Sequence, residues 1–96
     1  MTLEELFTDE GRWIQQAFAR DIDGDICDAA SEKAVSWCLL GGAEYICFID
    51  KSKNFIKLTE ELKSRVSERI DKPQITEWND APERTFEDIK EIVRGL

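Results

Sequence analysis

Apolar residues recur along this chain at spacings that change from segment to segment, and each spacing predicts an element. Leu3, Leu6 and Phe7 share one side of a helical stretch. Thr2 stands three residues before Glu5, the spacing at which each side chain can bond the other's backbone N–H at a helix start. A short helix ending near Gly11 is expected. The stretch "RWIQQAFARDIDGDICD" then places Phe18 and Ile22 before an Asp23-Gly24 pair and Ile26 after it. Asp-Gly favours a two-residue hairpin turn, because both central residues take positive φ. Two short strands or an extended loop are expected near 17–28.

Residues 31–49, "SEKAVSWCLLGGAEYICFI", carry the densest apolar run, with only Ser36 and Glu44 strongly polar after Ala34. Ser31 is a good N-cap and Glu32 suits the positive end of a helix. A helix apolar on nearly every side must be surrounded by other elements. Gly41 and Gly42 each cost a helix interior about 1 kcal/mol relative to alanine. Either they admit a close backbone, or they divide the segment into two helices.

Further on, Phe55, Leu58, Leu62, Val66 and Ile70 recur every three or four residues. They predict an amphipathic helix with its basic residues outside, stopped by Pro73, with Thr59 as an alternative internal N-cap. "QITEWNDAPER" reads as a loop or short strand, punctuated by Asn79, Asp80 and Pro82. In "TFEDIKEIVRGL", Thr85 and Asp88 repeat the reciprocal cap, Phe86, Ile89, Ile92 and Val93 face inward, and Gly95 marks the end. The expected fold is mainly α. It is one small domain, residues 1–96, with about four helices around a buried central helix (31–49) and a short β-hairpin or extended loop near 17–28.

Composition narrows the function. A net charge of −8 makes nucleic acid a poor ligand, since phosphate binding rests on basic side chains. The charge is uneven: residues 51–72 carry seven basic and four acidic residues, against three and eleven in residues 1–50. That basic segment is a solvated helix face, or it faces an acidic partner such as another copy. The longest apolar run is too short to span a bilayer. Three cysteines, Cys27, Cys38 and Cys47, show no C-x-x-C spacing, and the N-terminus does not resemble a signal peptide. A cytoplasmic protein with reduced thiols is expected. The chain contains no histidine, so catalysis by Cys-His or Ser-His pairs and His-containing zinc sites are excluded.

Asp21, Asp23, Asp25 and Asp28 crowd around Gly24, which raises the question of a calcium loop. With Gly24 at the sixth position of an EF-hand loop, positions one and twelve are Ala19 and Ala30. With Asp21 first, Asp23, Asp25 and Glu32 fill positions three, five and twelve, but Ile26 replaces the required glycine. The set Asp21, Asp23, Asp25 and Glu32 is therefore a weak calcium candidate, and a tight turn is the preferred reading. No metal and no cofactor are expected.

Three fragments together carry a resemblance: "FARDIDG" (18–24), "AVSWCLLGGAE" (34–44) and "ITEWNDAPERT" (75–85). In order and spacing they resemble an uncharacterised bacterial domain-of-unknown-function family, with A-R-D-x-D-G, W-C-x-x-G and W-N-D-x-P motifs. Gly42 stands where that pattern has alanine, Arg12 separates Gly11 from Trp13, and Asp25 is extra. The resemblance implies a shared fold and no activity. Its motif residues Arg20, Asp21, Trp37, Cys38, Trp78, Asn79 and Asp80 form either a structural lock or a polar pocket. Arg20 is expected to pair with Asp21, Asp80 or a helix C-terminus. The expected function is a small acidic protein-interaction module, monomeric or weakly homodimeric, binding neither nucleic acid nor membrane. The alternatives are a small-molecule binder or enzyme built on Arg20, Trp78 and Asp80, and a mimic of nucleic-acid charge.

Overall fold

A computed structural model describes residues 1–69 and 74–96. The chain is mainly helical, with one small antiparallel strand pair. Helix α1 (Leu3–Leu6) is followed by a 3-10 turn (Glu10–Arg12), strands β1 (Ala19–Arg20) and β2 (Ser36–Trp37), and helices α2 (Leu39–Ile49), α3 (Phe55–Ser67), α4 (Ile75–Asp80) and α5 (Phe86–Val93). Both reciprocal caps form. Thr2 N donates to Glu5 Oε1 at 2.9 Å and Glu5 N to Thr2 Oγ1 at 3.1 Å. Thr85 N donates to Asp88 Oδ2 at 3.0 Å and Asp88 N to Thr85 Oγ1 at 3.3 Å. Helix α1 is shorter than expected, because the separate 3-10 turn, capped by Asp9, intervenes before Gly11 is passed.

The central helix begins eight residues later than its apolar run suggests. Residues 36 and 37 pair as a strand instead, Trp37 opposite Ala19 and Ser36 opposite Arg20. An unbroken apolar run cannot by itself separate a buried strand from a buried helix. Here the β-branched Val35 and aromatic Trp37 favour the strand. Ser31 does not cap α2; its Oγ accepts from Lys33 N at 3.1 Å within a turn. Cys38, in extended conformation, is the cap, and its Sγ accepts from Gly41 N at 3.3 Å. The glycines do not divide the helix. They lie in its first turn, where a Cβ on Gly41 would stand 2.0 Å from Phe18 O. The backbone just before β1 thus crosses the helix at a distance only glycine permits.

Helix α2 touches α1, α3, α4 and β2. Its Leu39, Ala43 and Ile46 join Leu3 and Leu6 of α1, Leu62 and Val66 of α3, Ile75 and Trp78 of α4, and Ile89, Ile92 and Val93 of α5 in one apolar cluster. The helix is not wrapped on every side, however. Leu40 and Cys47 are half-buried, Glu44 is exposed, and Phe48 is 51% exposed. These residues share one face by their spacing of three and four.

In α3, Leu62 and Val66 are buried and Leu58 half-buried, but Phe55 at the first turn is 40% exposed. Asn54 is its cap, and Thr59 Oγ1 donates back to Ile56 O, so no internal cap forms. The expected positions of Ile70 and Pro73 lie outside the described residues. Arg65 of α3 reaches the end of α5, where its Nη1 donates to Ile92 O at 2.8 Å and Arg94 O at 2.6 Å. Residues 75–80, expected as loop or strand, are helical. Ile75, Trp78 and Asn79 fall at helical spacing on the buried side, and Pro82 comes just after the helix has ended at Ala81.

Hairpin geometry also differs in detail from the expected two-residue turn. Gly24 has φ 84°, while Asp23 stays at negative φ. Gly24 N donates to Asp21 O at 3.0 Å and Asp21 N to Asp25 O at 2.9 Å. The result is an ordinary four-residue turn with glycine in its last, left-handed place, extending to an isolated bridge between Arg20 and Ile26.

Two outcomes follow from this packing. Gly41→Ala should lower unfolding free energy by about 3 kcal/mol in urea titrations, because its neighbour is backbone and cannot swing aside. Gly42→Ala should lose less, since it meets the Phe7 ring at 2.8 Å and gains helix propensity. The cap bonds from Thr2 backbone and Thr85 backbone hold the Glu5 and Asp88 carboxyls below their ordinary values. Groups lowered on folding stabilise fully above their unfolded pKa and lose that contribution as pH falls through the folded one. The melting temperature should therefore fall on acidification below about pH 4, and fall less in a Glu5→Gln, Asp88→Asn variant.

Candidate functional site

Asn79, fully buried on α4, joins three segments distant in sequence. Its Oδ1 accepts from Trp13 Nε1 at 2.8 Å and from Leu39 N at 3.1 Å. Its Nδ2 donates to Ile14 O at 3.0 Å and Asp80 Oδ1 at 2.9 Å. The amide thereby uses both donors and both acceptor sites. The bond to Leu39 N also satisfies a free N–H in the first turn of α2, complementing the weaker sulfur cap. Gln15 extends the connection: its Nε2 donates to Asn79 O and Ala81 O, each at 2.9 Å. Gln16 N donates to Asp80 Oδ1 at 2.9 Å, holding Gln16 at φ 70°, where side chains other than glycine are uncommon.

The other tryptophans are fixed separately. Trp37 Nε1 donates to Ala29 O at 3.0 Å, and its ring stacks on Tyr45 with centroids 4.5 Å apart. Trp78 is covered by Arg84, whose guanidinium carbon lies 4.0 Å from the ring centroid and whose Nε donates to Trp78 O at 2.7 Å. Trp78 Nε1 has no acceptor among the described residues. Arg20 does not reach this group. Its Nη1 donates to Gly24 O at 2.9 Å, and among the described residues no ion pair joins it to Asp80. Among the described residues no hydrogen bond or ion pair links Arg20 to Trp78 or Asp80: Arg20 braces its own turn, Arg84 covers Trp78, and Asp80 holds the 13–16 strap. The sequence carries Arg84 within its third fragment, but Arg20 offered the same chemistry. Nothing in sequence singles out Gln15 or Gln16.

Asp21 is part of the turn, its Oδ1 accepting from Asp23 N at 2.9 Å and Asp25 N at 3.0 Å. Oxygens of Asp21, Asp23 and Asp25 lie within 4.8 Å of one another, a concentration of negative charge. Glu32 is not in this group. Cys38 is buried, and burial pushes its thiol up, as it also does for Cys27 and Cys47, so all three stay protonated at neutral pH.

Three neighbouring clefts line the outer side of this framework. A cleft of about 400 Å³ lies among Gln16, Phe18, Ile26, Cys38, Thr76 and Asp80. Phe18 and Ile26 also wall a second, of about 430 Å³, together with Asp28 and Glu44. Thr76 is shared with a third, of about 270 Å³, bordered by Leu40, Phe55 and Lys63. Each cleft borders α2 or its cap: the first at Cys38, the second at Glu44 and the third at Leu40. Their lining offers apolar surface, carboxylates at one end and a lysine at the other.

Asn79→Leu should preserve volume yet strip Trp13 and Leu39 of their acceptor and Ile14 and Asp80 of a donor. We expect a loss of about 3 kcal/mol by urea denaturation, since buried groups left unpaired cost ~1–3 kcal/mol each. Trp13→Phe should cost about 1 kcal/mol. The two losses should be less than additive when combined, because they remove the same bond.

Comparison with known proteins gives no matching curated protein and no matching solved structure. A family model does match residues 3–95, nearly the whole chain, and its description assigns no activity. By that coverage, the chain belongs to the family of unknown function DUF6197.

Proposed function

We propose that this chain is a small protein-interaction module whose docking face is the hairpin together with the uncovered side of α2. One observation carries the reading. Phe18 and Ile26, 52% and 68% exposed, each wall two adjoining clefts whose charged borders, among the described residues, are the carboxylates of Asp28, Glu44 and Asp80. A contiguous apolar patch rimmed by charge is a common mark of a docking surface. The fitting partner is a protein segment that presents apolar side chains flanked by lysine or arginine. The apolar groups would fill the clefts, and the basic groups would meet the carboxylates and steer the encounter.

The polar motif residues support this reading indirectly. Asn79, Asp80, Arg20 and Arg84 spend their hydrogen bonds inside the chain, which fits a lock that shapes the surface. The thiols are protonated and the chain lacks histidine, so the clefts suit binding better than nucleophilic chemistry.

A random-peptide display selection against the purified chain tests the proposal. Enriched sequences should combine large apolar residues with adjacent Lys or Arg, and enrichment should vanish for a Phe18→Ser, Ile26→Ser variant. Both positions are exposed, so that variant should melt within a few degrees of the wild type. Selection of acidic or featureless sequences, or selection unaffected by the double substitution, would overturn the proposal.

A further inference from the structure

We infer that a partner fitting this face is a second copy of the same chain, docked about a two-fold axis. The inference rests on the docking face proposed above and adds a second surface to it. At the corner between α2 and α3, Phe48, Ile49, Phe55 and Ile56 are 51%, 46%, 40% and 67% exposed. Lys51, Lys53 and Lys57 stand among them, and Lys51 Nζ lies 4.6 Å from the centroid of the Phe48 ring. The single acid of that stretch, Asp50, is occupied by Ser52, whose N and Oγ donate to it at 3.1 and 2.6 Å. Residues 48–57 thus carry three lysines against one aspartate, a net of +2.

The hairpin is the counterpart. Residues 18–28 carry four aspartates against Arg20, a net of −3, and Arg20 is tied to Gly24 O. Asp21, Asp23 and Asp25 are close enough to repel one another, and basic side chains brought alongside would relieve that repulsion. Each surface therefore combines exposed large apolar side chains with charge, and the two charges are opposite in sign. That is the complementarity described for the partner of the hairpin, and the chain carries it on itself.

Position selects the symmetry. Glu44 shares a cleft with Phe18 and Ile26, and Leu40 shares one with Phe55. Thr76 borders both the hairpin cleft and the Phe55 cleft. Phe55 of the basic surface and Phe18 and Ile26 of the acidic one thus line adjoining clefts that border α2 and α4. Two copies placed face to face and antiparallel would bring each hairpin against the other's corner. The contact is made twice and the assembly closes, as an isologous dimer does.

Sedimentation of the full chain over a wide concentration range, at low and at molar salt, tests the inference. The expected result is a dimer at low salt that weakens as salt screens the charges. Asp23→Lys, Asp25→Lys should weaken dimerisation about tenfold or more by setting like charges together, and so should Lys51→Glu, Lys57→Glu. All four positions are exposed, and circular dichroism should show unchanged helix content. The two variants mixed in equal amounts should form a one-to-one heterodimer, because each then offers the sign that the other lacks. A chain that stays monomeric at every concentration, a dimer indifferent to both reversals, or growth into species larger than dimers would overturn the inference. Peptide selection on a strictly monomeric chain separates the two ideas: recovered apolar-basic peptides would leave the docking face standing while self-pairing fails.

Discussion

The geometry of the candidate site depends on one buried amide. A carboxamide excluded from water is tolerable only when its donors and acceptors are all engaged, and Asn79 meets that condition with partners from three segments. The outcome is geometric. The 13–16 strap is fixed against the end of α4, and the first turn of α2 is fixed against both. With the strap held, Gln16 can sit in the left-handed region and turn the chain so that Phe18 crosses α2 at Gly41. The hairpin that follows is positioned by this crossing, and so are the clefts beside it.

The same dependence gives the polar residues of the sequence motifs structural work to do. Asn79 and Asp80 hold the strap, Arg84 covers the face of Trp78, and Arg20 braces the acidic turn. Under the proposed function they would act on a partner through the surface that they shape. The side chains that would meet a partner, Phe18, Ile26, Phe48 and Phe55, belong to the apolar pattern, where sequence offers no hint that they remain exposed.

The parts of the fold that were legible in sequence are those governed by short-range chemistry. The reciprocal caps at Thr2 and Thr85 involve residues three apart, and both form as expected. Leu62 and Val66, and Ile89, Ile92 and Val93, lie inward because helical spacing leaves them no other arrangement. The errors came where tertiary partners decide. The run from Ala34 to Ile49 is apolar enough for a helix or a strand, and pairing with Ala19 and Arg20 claims its first part. "ITEWND" contains loop-favouring residues, yet the hydrogen bonds of Asn79 are satisfied best from a helix whose other buried residues are Ile75 and Trp78. Arg20 and Arg84 are chemically equivalent as candidates, and only position in space separates them.

Arg65 has a consequence for motion. Helix ends ordinarily fray, and the last turn of a helix opens and closes more often than the body of the molecule. In this chain the final carbonyls of α5 are gripped by a guanidinium belonging to α3, a helix with Leu62 and Val66 in the core. Peeling that turn away means breaking two charge-assisted hydrogen bonds to a remote helix as well as the local backbone bonds. Helix α5 is thereby coupled to the cooperative heart of the protein, and its amide hydrogens should exchange with solvent on the slow timescale of α3 rather than the fast one of a frayed helix end.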